Sequence, residues 1–344
     1  MEYFVKYIQW LMPDCIVRFI LNQYLSYSSK NLETKDFLQK ELRLVKQMKD
    51  MNSVTYDTKS ANEQHYEVPT KFFLCHLGKK LKYSSCEWSE GVNTIEDAEV
   101  HTIQKYQQYL ELDSLKSGDS ILEIGNGWGS LCLTNAEKYP ELQFFSFSNS
   151  ETQIEYIKSQ IEKRQLKNLT VWRQDIDEFI KSSDEMANKF SRVVSIECIE
   201  HCRNYQELFK GIAGLLKDDG FTFFQILGHS KYSYLMNNNS WMGRNFFTGG
   251  TIPSMHLFHH FNNDLIVDWM HVVNGKEYAK TLDAWLFRMY ENKATVMHEF
   301  NNAYGANASN YYQGWRMFYL MSSESFASND GKNYCVGYFK MKKR

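Results

Sequence analysis

Three side chains that can bind a cation or accept a proton follow one apolar run of the sequence. Glu197, Glu200 and His201 lie in the segment SRVVSIECIEHCRNY, residues 191–205. The apolar run predicts a buried strand, and ligands bind at the carboxyl ends of strands in open α/β sheets. Carboxylates and imidazoles are common general acids and bases. The cluster therefore predicts proton transfer beside a substrate; the alternative is a polar loop whose histidine caps the next helix.

A second candidate site is a turn that contains three glycines. Gly125, Gly127 and Gly129 lie in ILEIGNGWG, where an apolar run ends and a helical segment begins. Glycine lets the backbone approach a ligand closely, and the N–H groups that open a helix bind anionic groups. A dinucleotide fingerprint needs another glycine where Ser130 stands. The turn therefore predicts a different cofactor, or a tight strand-to-helix turn without a ligand.

The next predicted strand ends in small polar residues. The acidic residue that a dinucleotide-binding fold places about 20 residues after its glycines is absent here. Ser148 and Gln153 follow this strand, and hydroxyl and amide groups offer the donors and acceptors that a ribose requires. These residues predict a ribose contact without a carboxylate.

The composition is that of a globular chain with balanced charge. It has 344 residues, 43% of them apolar, and a formal net charge of −2, which excludes the basic surface of a general nucleic-acid-binding protein. Its seven cysteines contain no CxxC pair. We therefore expect no disulfide framework and a reducing, cytoplasmic location.

The N-terminal stretch is apolar but interrupted. Lys6, Pro13, Asp14 and Arg18 break it before the roughly 20 apolar residues that a membrane span requires. We expect two short amphipathic helices hinged at Pro13, which pack on the body of the protein or contact a membrane surface. Membrane contact is the less favoured of these two options, and the sequence leaves a homodimer open.

Apolar runs alternate with helical segments from residue 118 onward. SILEIG, LQFFSFS, LTVWRQD, RVVSIE and FTFFQIL recur at the spacing of βαβ units, which predicts an α/β fold with a doubly wound, mostly parallel sheet. We divide the chain into an N-terminal helical and cap region, residues 1–117, and a Rossmann-like core, residues 118–344. A loop-like insertion, residues 229–262, interrupts the core, and long ordered loops are often lids.

Eight short motifs are spread along nearly the whole chain. They are HYEVPTKFF, LKYSSCEW, the glycine turn, SNSETQ, SIECIEH, NFFTGGTIPS, NGKEYAKTLDAW and WRMFYL. In this order they resemble the S-adenosylmethionine-dependent methyltransferases of the coclaurine N-methyltransferase type, relatives of cyclopropane fatty acid synthases. The resemblance implies a class I methyltransferase fold with a seven-stranded sheet and an antiparallel last strand. It also implies S-adenosylmethionine as methyl donor and a small apolar or aromatic amine as acceptor.

The resemblance also implies which residues bind the cofactor. The family usually has a cysteine where this chain has Asn126, whose backbone can still serve. By this resemblance the amino-acid end of the cofactor is held by Tyr83, Ser84, Gly125 and Gly127, the ribose region by Ser148 and Gln153, and the adenine by Asp175 and Ile176.

Position 197 distinguishes two activities within the superfamily. Amine methyltransferases resemble this chain in having a glutamate there, whereas cyclopropane synthases have a glycine. Those synthases also bind bicarbonate through a cysteine and a histidine, whose positions are occupied here by Ser85 and Gln225. The alternatives are a lipid acyl-chain methyltransferase or cyclopropane synthase, and a catalytically inactive interaction protein, against which the intact cluster argues.

Methyl transfer to an amine requires a neutral nitrogen. An alkylamine with a pKa like that of lysine, about 10.4, is almost fully protonated at neutral pH. We therefore expect Glu197 to attract the ammonium and His201, with a pKa near neutrality, to accept or relay its proton, while Glu200 orients the imidazole or the substrate. Aromatic walls bind cationic nitrogen by cation–π attraction. The aromatic residues expected to contact the substrate are Trp88, Trp241, Phe247 and Tyr278.

The segment HLFHHF has histidines at the spacing of metal ligands on one helix face. His256, His259 and His260 are not accompanied by a carboxylate motif, so we expect no metal site.

Overall fold

The computed structural model describes residues 12–32, 36–56 and 68–344 of the chain. The first of the two helices expected beside Pro13 lies outside these residues, as do the first three residues of HYEVPTKFF. The second helix, α1, spans Asp14–Leu32 and begins directly after Pro13, whose carbonyl oxygen accepts hydrogen bonds from the amides of Ile16 and Val17.

A seven-stranded sheet forms the centre of the molecule, with the strand order β3-β2-β1-β4-β5-β9-β8. Strand β9 is antiparallel to both of its neighbours, and the remaining ladders are parallel. The predicted α/β sheet with an antiparallel last strand is therefore confirmed. The strands of this sheet are β1 Ser120–Ile124, β2 Gln143–Ser148, β3 Leu169–Arg173, β4 Phe190–Ile196, β5 Leu216–His229, β8 Leu265–Asn274 and β9 Tyr334–Lys343.

The order of the strands determines where a ligand can bind. The interior residues of β1 and β4 are buried, as expected for parallel strands covered by helices on both faces. The chain runs from β1 to β2 on one side and later returns to place β4 on the other side, so a crevice opens beyond the carboxyl ends of β1 and β4. Gly125 and Glu197 directly follow these two strands.

Helices cover both faces of the sheet. Asn204 caps α8 with its side chain, and Ser150 caps α6 in the same way. The helices that follow α1 in the described residues are α2 Phe37–Lys49, α3 Thr70–His76, α4 Ile95–Tyr109, α5 Ser130–Lys138, α6 Glu151–Arg164, α7 Ile176–Lys181, α8 Tyr205–Leu215, α9 Trp241–Asn245, α10 Gly275–Glu291, α11 Lys293–Tyr304 and α12 Ala308–Gly331.

The helix α1 is fastened to the C-terminal helices by ion pairs. Arg18 bonds Asp283 of α10 and Glu324 of α12, each at 2.6 Å, while Val17 and Leu21 are buried. None of the helices within the described residues combines the length and apolar character needed to cross a membrane. The proposed division of the chain at residue 117 stays a prediction.

The insertion, residues 229–262, contains more regular structure than the loop expected from the sequence. Two short antiparallel strands, β6 Tyr234–Leu235 and β7 Thr251–Ile252, flank the helix α9. The buried carboxylate of Glu41 in α2 accepts hydrogen bonds from Ser233 at 2.6 Å and from Ser254 at 2.7 Å. The side chain of Glu41 therefore bridges Ser233 and Ser254, which lie on either side of β6, α9 and β7.

Candidate active site

A cleft of about 1040 Å³, its open mouth included, lies at the carboxyl ends of β1, β2 and β4. All eight residues predicted to bind the cofactor line this cleft, and so do Glu197 and His201. The eight are Tyr83, Ser84, Gly125, Gly127, Ser148, Gln153, Asp175 and Ile176.

The glycine turn has the backbone conformation that glycine permits. Gly125 and Gly127 have φ angles of 80° and 48°. A Cβ atom at Gly125 would lie 2.5 Å from the sulfur of Cys198, whereas one at Gly127 would meet no atom within 4 Å. Gly125 is thus favoured by its positive φ and by close packing against Cys198, and Gly127 by its positive φ. The open space beside Gly127 leaves room for a ligand.

Several buried polar atoms around the turn have no hydrogen-bond partner in the described part of the chain. They include Oε2 of Glu123, both side-chain polar atoms of Asn126, and Nε2 of Gln153. A buried polar group without a partner costs about 1–3 kcal/mol. These acceptors and donors point to a polar ligand, and the ammonium, carboxylate and hydroxyl groups of S-adenosylmethionine could pair with them.

The residues predicted to hold the ribose and adenine are oriented by local hydrogen bonds. The hydroxyl of Ser148 donates to Oε1 of Gln153 at 3.2 Å, which leaves Nε2 of that glutamine for a ligand. Asp175 caps α7, because its Oδ1 accepts a hydrogen bond from the amide of Asp177 at 2.8 Å. The Asp175 side chain is therefore fixed at the edge of the cleft.

Glu197 is held by a strained backbone and a set of hydrogen bonds. Its φ of 48° lies in the left-handed region, which is uncommon for a residue with a side chain and often marks a functional site. Its Oε1 accepts hydrogen bonds from the amide of Ser85 at 3.0 Å and from Nε2 of Gln225 at 2.6 Å. Tyr278 also hydrogen-bonds this carboxylate. Burial raises the pKa of Glu197, and Lys82 and these hydrogen bonds oppose that increase.

Glu200 is not among the residues that line the cleft. The residue is 1% exposed, and its Oε1 accepts a hydrogen bond from the amide of Leu227 at 2.6 Å. Burial, and next the charge of the neighbouring Glu197, raise its pKa well above the usual range, which favours the neutral acid. The sequence predicted that Glu200 orients the imidazole or the substrate. In the structure its carboxyl group accepts a hydrogen bond from the backbone of β5. The orienting role of Glu200 therefore stays a prediction.

His201 lines the cleft four residues after Glu197, at the end of the short 3-10 helix Ile199–His201. Burial lowers its pKa to about 4, so the imidazole is neutral at neutral pH. The expected pKa near neutrality was therefore wrong, because the sequence could not show how fully the surrounding chain desolvates the ring. The ring of Phe247 packs edge-on against it, with centroids 5.2 Å apart.

The four aromatic residues predicted to contact the substrate occupy different places, and none belongs to the described cleft lining. Phe247 lies against His201, and Tyr278 against Glu197. Trp241 packs on Phe246 at 5.3 Å in the insertion. Trp88 is directed to α10, where its ring N–H donates to Thr281 at 3.0 Å. Their roles in substrate binding stay predictions.

The histidines of HLFHHF lie on a 3-10 turn, Leu257–His260, where His256 and His259 are exposed and His260 is half-buried. Residues 12–32, 36–56 and 68–344 contain no group of three or more histidine, cysteine or acidic side chains that could hold a metal ion.

Lys82 and Thr55 are among the residues of the cleft lining that the sequence analysis did not identify. Lys82 precedes the predicted Tyr83 and Ser84, and its position in the motif LKYSSCEW could have indicated it. Thr55 reaches the cleft because it forms a β-bridge with Cys202. Nothing in the sequence around Thr55 indicates that pairing, which joins positions almost 150 residues apart.

Comparison with known proteins shows which family the chain belongs to. The family model described as mycolic acid cyclopropane synthetase matches residues 54–333. The chain belongs to this family. Within it, the (S)-coclaurine N-methyltransferase of Thalictrum flavum subsp. glaucum is 28% identical over 346 residues, covering 97% of this chain and 93% of the relative. The cyclopropane-fatty-acyl-phospholipid synthase of Escherichia coli (strain K12) is 24% identical and covers 66% of this chain and 55% of its own.

Solved structures from the family have the same fold. A crystal structure of coclaurine N-methyltransferase bound to N-methylheliamine and SAH matches with a TM-score of 0.91 and 26% identity, covering 99% of each chain. The cyclopropane synthase MmaA2 of Mycobacterium tuberculosis matches with a TM-score of 0.70 and 18% identity, covering 85% of this chain and 100% of its own. The predicted resemblance and the class I methyltransferase fold are therefore confirmed.

Proposed function

We propose that this protein transfers a methyl group from S-adenosylmethionine to the nitrogen of a small apolar or aromatic amine. The observation that supports this most directly is the buried Glu197, held by three hydrogen bonds at the end of β4 and facing the same cleft as the glycine turn. The relatives that match nearly the whole chain are coclaurine N-methyltransferases. The cofactor and the enzyme class follow from this membership.

When bound, S-adenosylmethionine supplies a methyl group on a positively charged sulfur, which is open to in-line attack by a neutral nitrogen. The carboxylate of Glu197 attracts the ammonium form of the amine into the cleft. Burial makes this carboxylate a stronger base and makes His201 a weaker one. Glu197 therefore takes the proton from the amine, and the neutral His201 hydrogen-bonds the nitrogen or relays the proton to solvent.

The lipid alternative receives less support from the site. Ser85 and Gln225, the two residues at the bicarbonate-ligand positions of cyclopropane synthases, both donate hydrogen bonds to Glu197 here. These groups therefore serve a carboxylate that belongs to the chain itself. A cytoplasmic location and a homodimer stay predictions from the sequence.

Incubation with S-adenosylmethionine carrying a labelled methyl group and a panel of primary, secondary and tertiary amines tests the activity. We expect transfer of label to apolar or aromatic amines without an added divalent ion, and SAH as the second product. The matched control is a panel of analogues of the same amines in which carbon replaces the nitrogen. Label in acyl chains of added phospholipid, with none in any amine, would support the lipid alternative and contradict the proposal.

The insertion is expected to close over the bound substrate. It follows the carboxyl end of β5 and contains the Gly249-Gly250 pair, whose first residue has a φ of 66°. Hydrogen exchange of residues 229–262 should slow when SAH and an accepted amine are both present. Exchange that is the same with and without both ligands would count against a lid.

The aromatic residues of the insertion should determine which amine is accepted. Changing Phe247 or Trp241 to alanine should alter the ratio of kcat/KM values between two amines while the Kd for SAH changes little, because neither residue lines the described cofactor cleft. Phe287 is 61% exposed on α10, and Phe287→Ala is the control. A larger change in the Kd for SAH than in the amine ratio would contradict this prediction.

A further inference from the structure

A buried lysine lies in the wall of the cleft close to the Glu197 carboxylate. Lys82 is 2% exposed, and its Nζ donates to the hydroxyl of Ser84 at 2.8 Å and to the carbonyl oxygen of Ser85. The ammonium also lies 5.2 Å from the centre of the Tyr106 ring. Burying a cation is costly unless it is paired and hydrogen-bonded, so these contacts define a built environment for the charge.

The same hydrogen-bond network holds the Glu197 carboxylate. The peptide of Ser85 accepts from Lys82 at its carbonyl oxygen and donates through its amide to Oε1 of Glu197 at 3.0 Å. Gln225 closes the network, since its Nε2 donates to Oε1 of Glu197 at 2.6 Å and to the carbonyl oxygen of Ser85 at 3.4 Å. Tyr106 donates to the side-chain oxygen of Gln225. A single residue, Ser85, therefore connects the buried cation and the buried anion.

We propose that Lys82 is a positioning residue for methyl transfer: it fixes the Ser84–Ser85 backbone that grips Glu197 and supplies the positive charge that this carboxylate faces. The inference rests on the proposed function only for the task of Glu197, which is to bind the amine and take its proton. The hydrogen bonds of Lys82 are to Ser84 and Ser85 and not to Glu197 itself. The effect of Lys82 on turnover passes through the charge and position of Glu197.

The positive charge of Lys82 opposes the effect of burial on the pKa of Glu197. Burial raises the pKa of Glu197, and among the opposing influences the charge of Lys82 comes first, ahead of the hydrogen bonds from Gln225, Ser85 and Tyr278. Burial and the charge of Glu197 raise the pKa of Glu200 well above the usual range, which favours the neutral form of Glu200. The titratable groups that face Glu197 in the described residues are Lys82, Cys86, Tyr106, Glu200 and Tyr278.

A carboxyl titration in the full-length protein tests the proposal without any amine. Protein labelled with ¹³C at the glutamate side-chain carboxyl is titrated by NMR, and the signal of Glu197 is identified by its loss in Glu197→Gln. We expect Lys82→Met to raise the titration midpoint of Glu197 by about one pH unit or more, the size of effect that an adjacent opposite charge produces. Lys79→Met, which removes an exposed lysine from the same loop, should leave the midpoint unchanged.

A second variant separates charge from hydrogen bonding. Lys82→Gln keeps an N–H donor without the charge, so it should raise the midpoint as well, and it replaces Lys82→Met if that variant does not fold. An unchanged midpoint in a folded Lys82 variant would overturn the proposal, as would a loss of SAH binding without a shift of the midpoint. Because the titration requires no turnover, a failure of the amine panel leaves its result interpretable.

Discussion

Replacing Glu197 with glutamine is expected to lower the turnover number for an accepted amine by about 10²- to 10⁴-fold, the range for losing a positioned proton acceptor. Glutamine keeps the volume and can still accept the hydrogen bond from Ser85, but it cannot attract an ammonium or take its proton. His201→Ala should also lower turnover, by a smaller factor, because burial makes the imidazole the weaker base of the two. Steady-state rates at saturating S-adenosylmethionine measure both effects.

Two further measurements distinguish a chemical role of Glu197 and His201 from a structural role: the affinity for cofactor, and the turnover number of the double variant. The Kd for SAH, measured by calorimetry, should stay nearly unchanged in both variants, and His259→Ala, at an exposed histidine, is the matched control. If Glu197 and His201 act as a unit, the double variant should be little slower than the worse single variant. A His201→Ala enzyme with the wild-type turnover number would refute a role for the imidazole.

The pH profile should show which of the two residues takes the proton. The pKa of Glu197 is raised by burial above the ordinary value of 4.5, so the active carboxylate is lost as the pH falls through that raised pKa. His201 stays neutral until the pH approaches about 4. The acid limb of kcat/KM should therefore vanish in Glu197→Gln and remain in His201→Ala. The opposite pattern would assign the proton to the imidazole.

Replacing Gly127 with valine is expected to abolish cofactor binding. The φ of 48° is costly for a residue with a side chain, by roughly 1–2 kcal/mol. Because a Cβ atom there meets no protein atom within 4 Å, the added side chain projects into open space beside the cleft instead of disturbing the fold. Calorimetry with S-adenosylmethionine and with SAH should show no heat of binding in the variant.

Gly91→Val is the matched control for this variant. Gly91 also has a positive φ, 86°, and open space around the position of a Cβ atom, but it does not line the cleft. Gly91→Val should therefore bear a similar backbone cost and bind SAH like the wild type. Normal SAH binding by Gly127→Val, or binding of SAH by the wild type only with an added divalent ion, would contradict the cofactor site.

The sequence alone determined the sheet and the candidate residues that directly follow its strands. Apolar runs of strand length recur at regular spacing, and this local pattern is enough to predict strands because buried parallel strands must be apolar throughout. The glycines at positions 125 and 127 likewise allow a positive φ, which is a local property of the backbone. The side chains that end β1, β2 and β4 therefore shared one edge in the prediction, and they line one cleft in the structure.

Tertiary structure decided the chemistry of those side chains. The pKa values of His201 and Glu200 depend on how fully each group is buried. The residues that bury them include residues from distant segments of the sequence, such as the segment around Leu227. The contacts of Glu197 with Ser85 and Gln225 join positions separated by 112 and 28 residues. Periodicity and composition describe neighbours along the chain, whereas desolvation and charge pairing depend on neighbours in space, and only the folded chain fixes those.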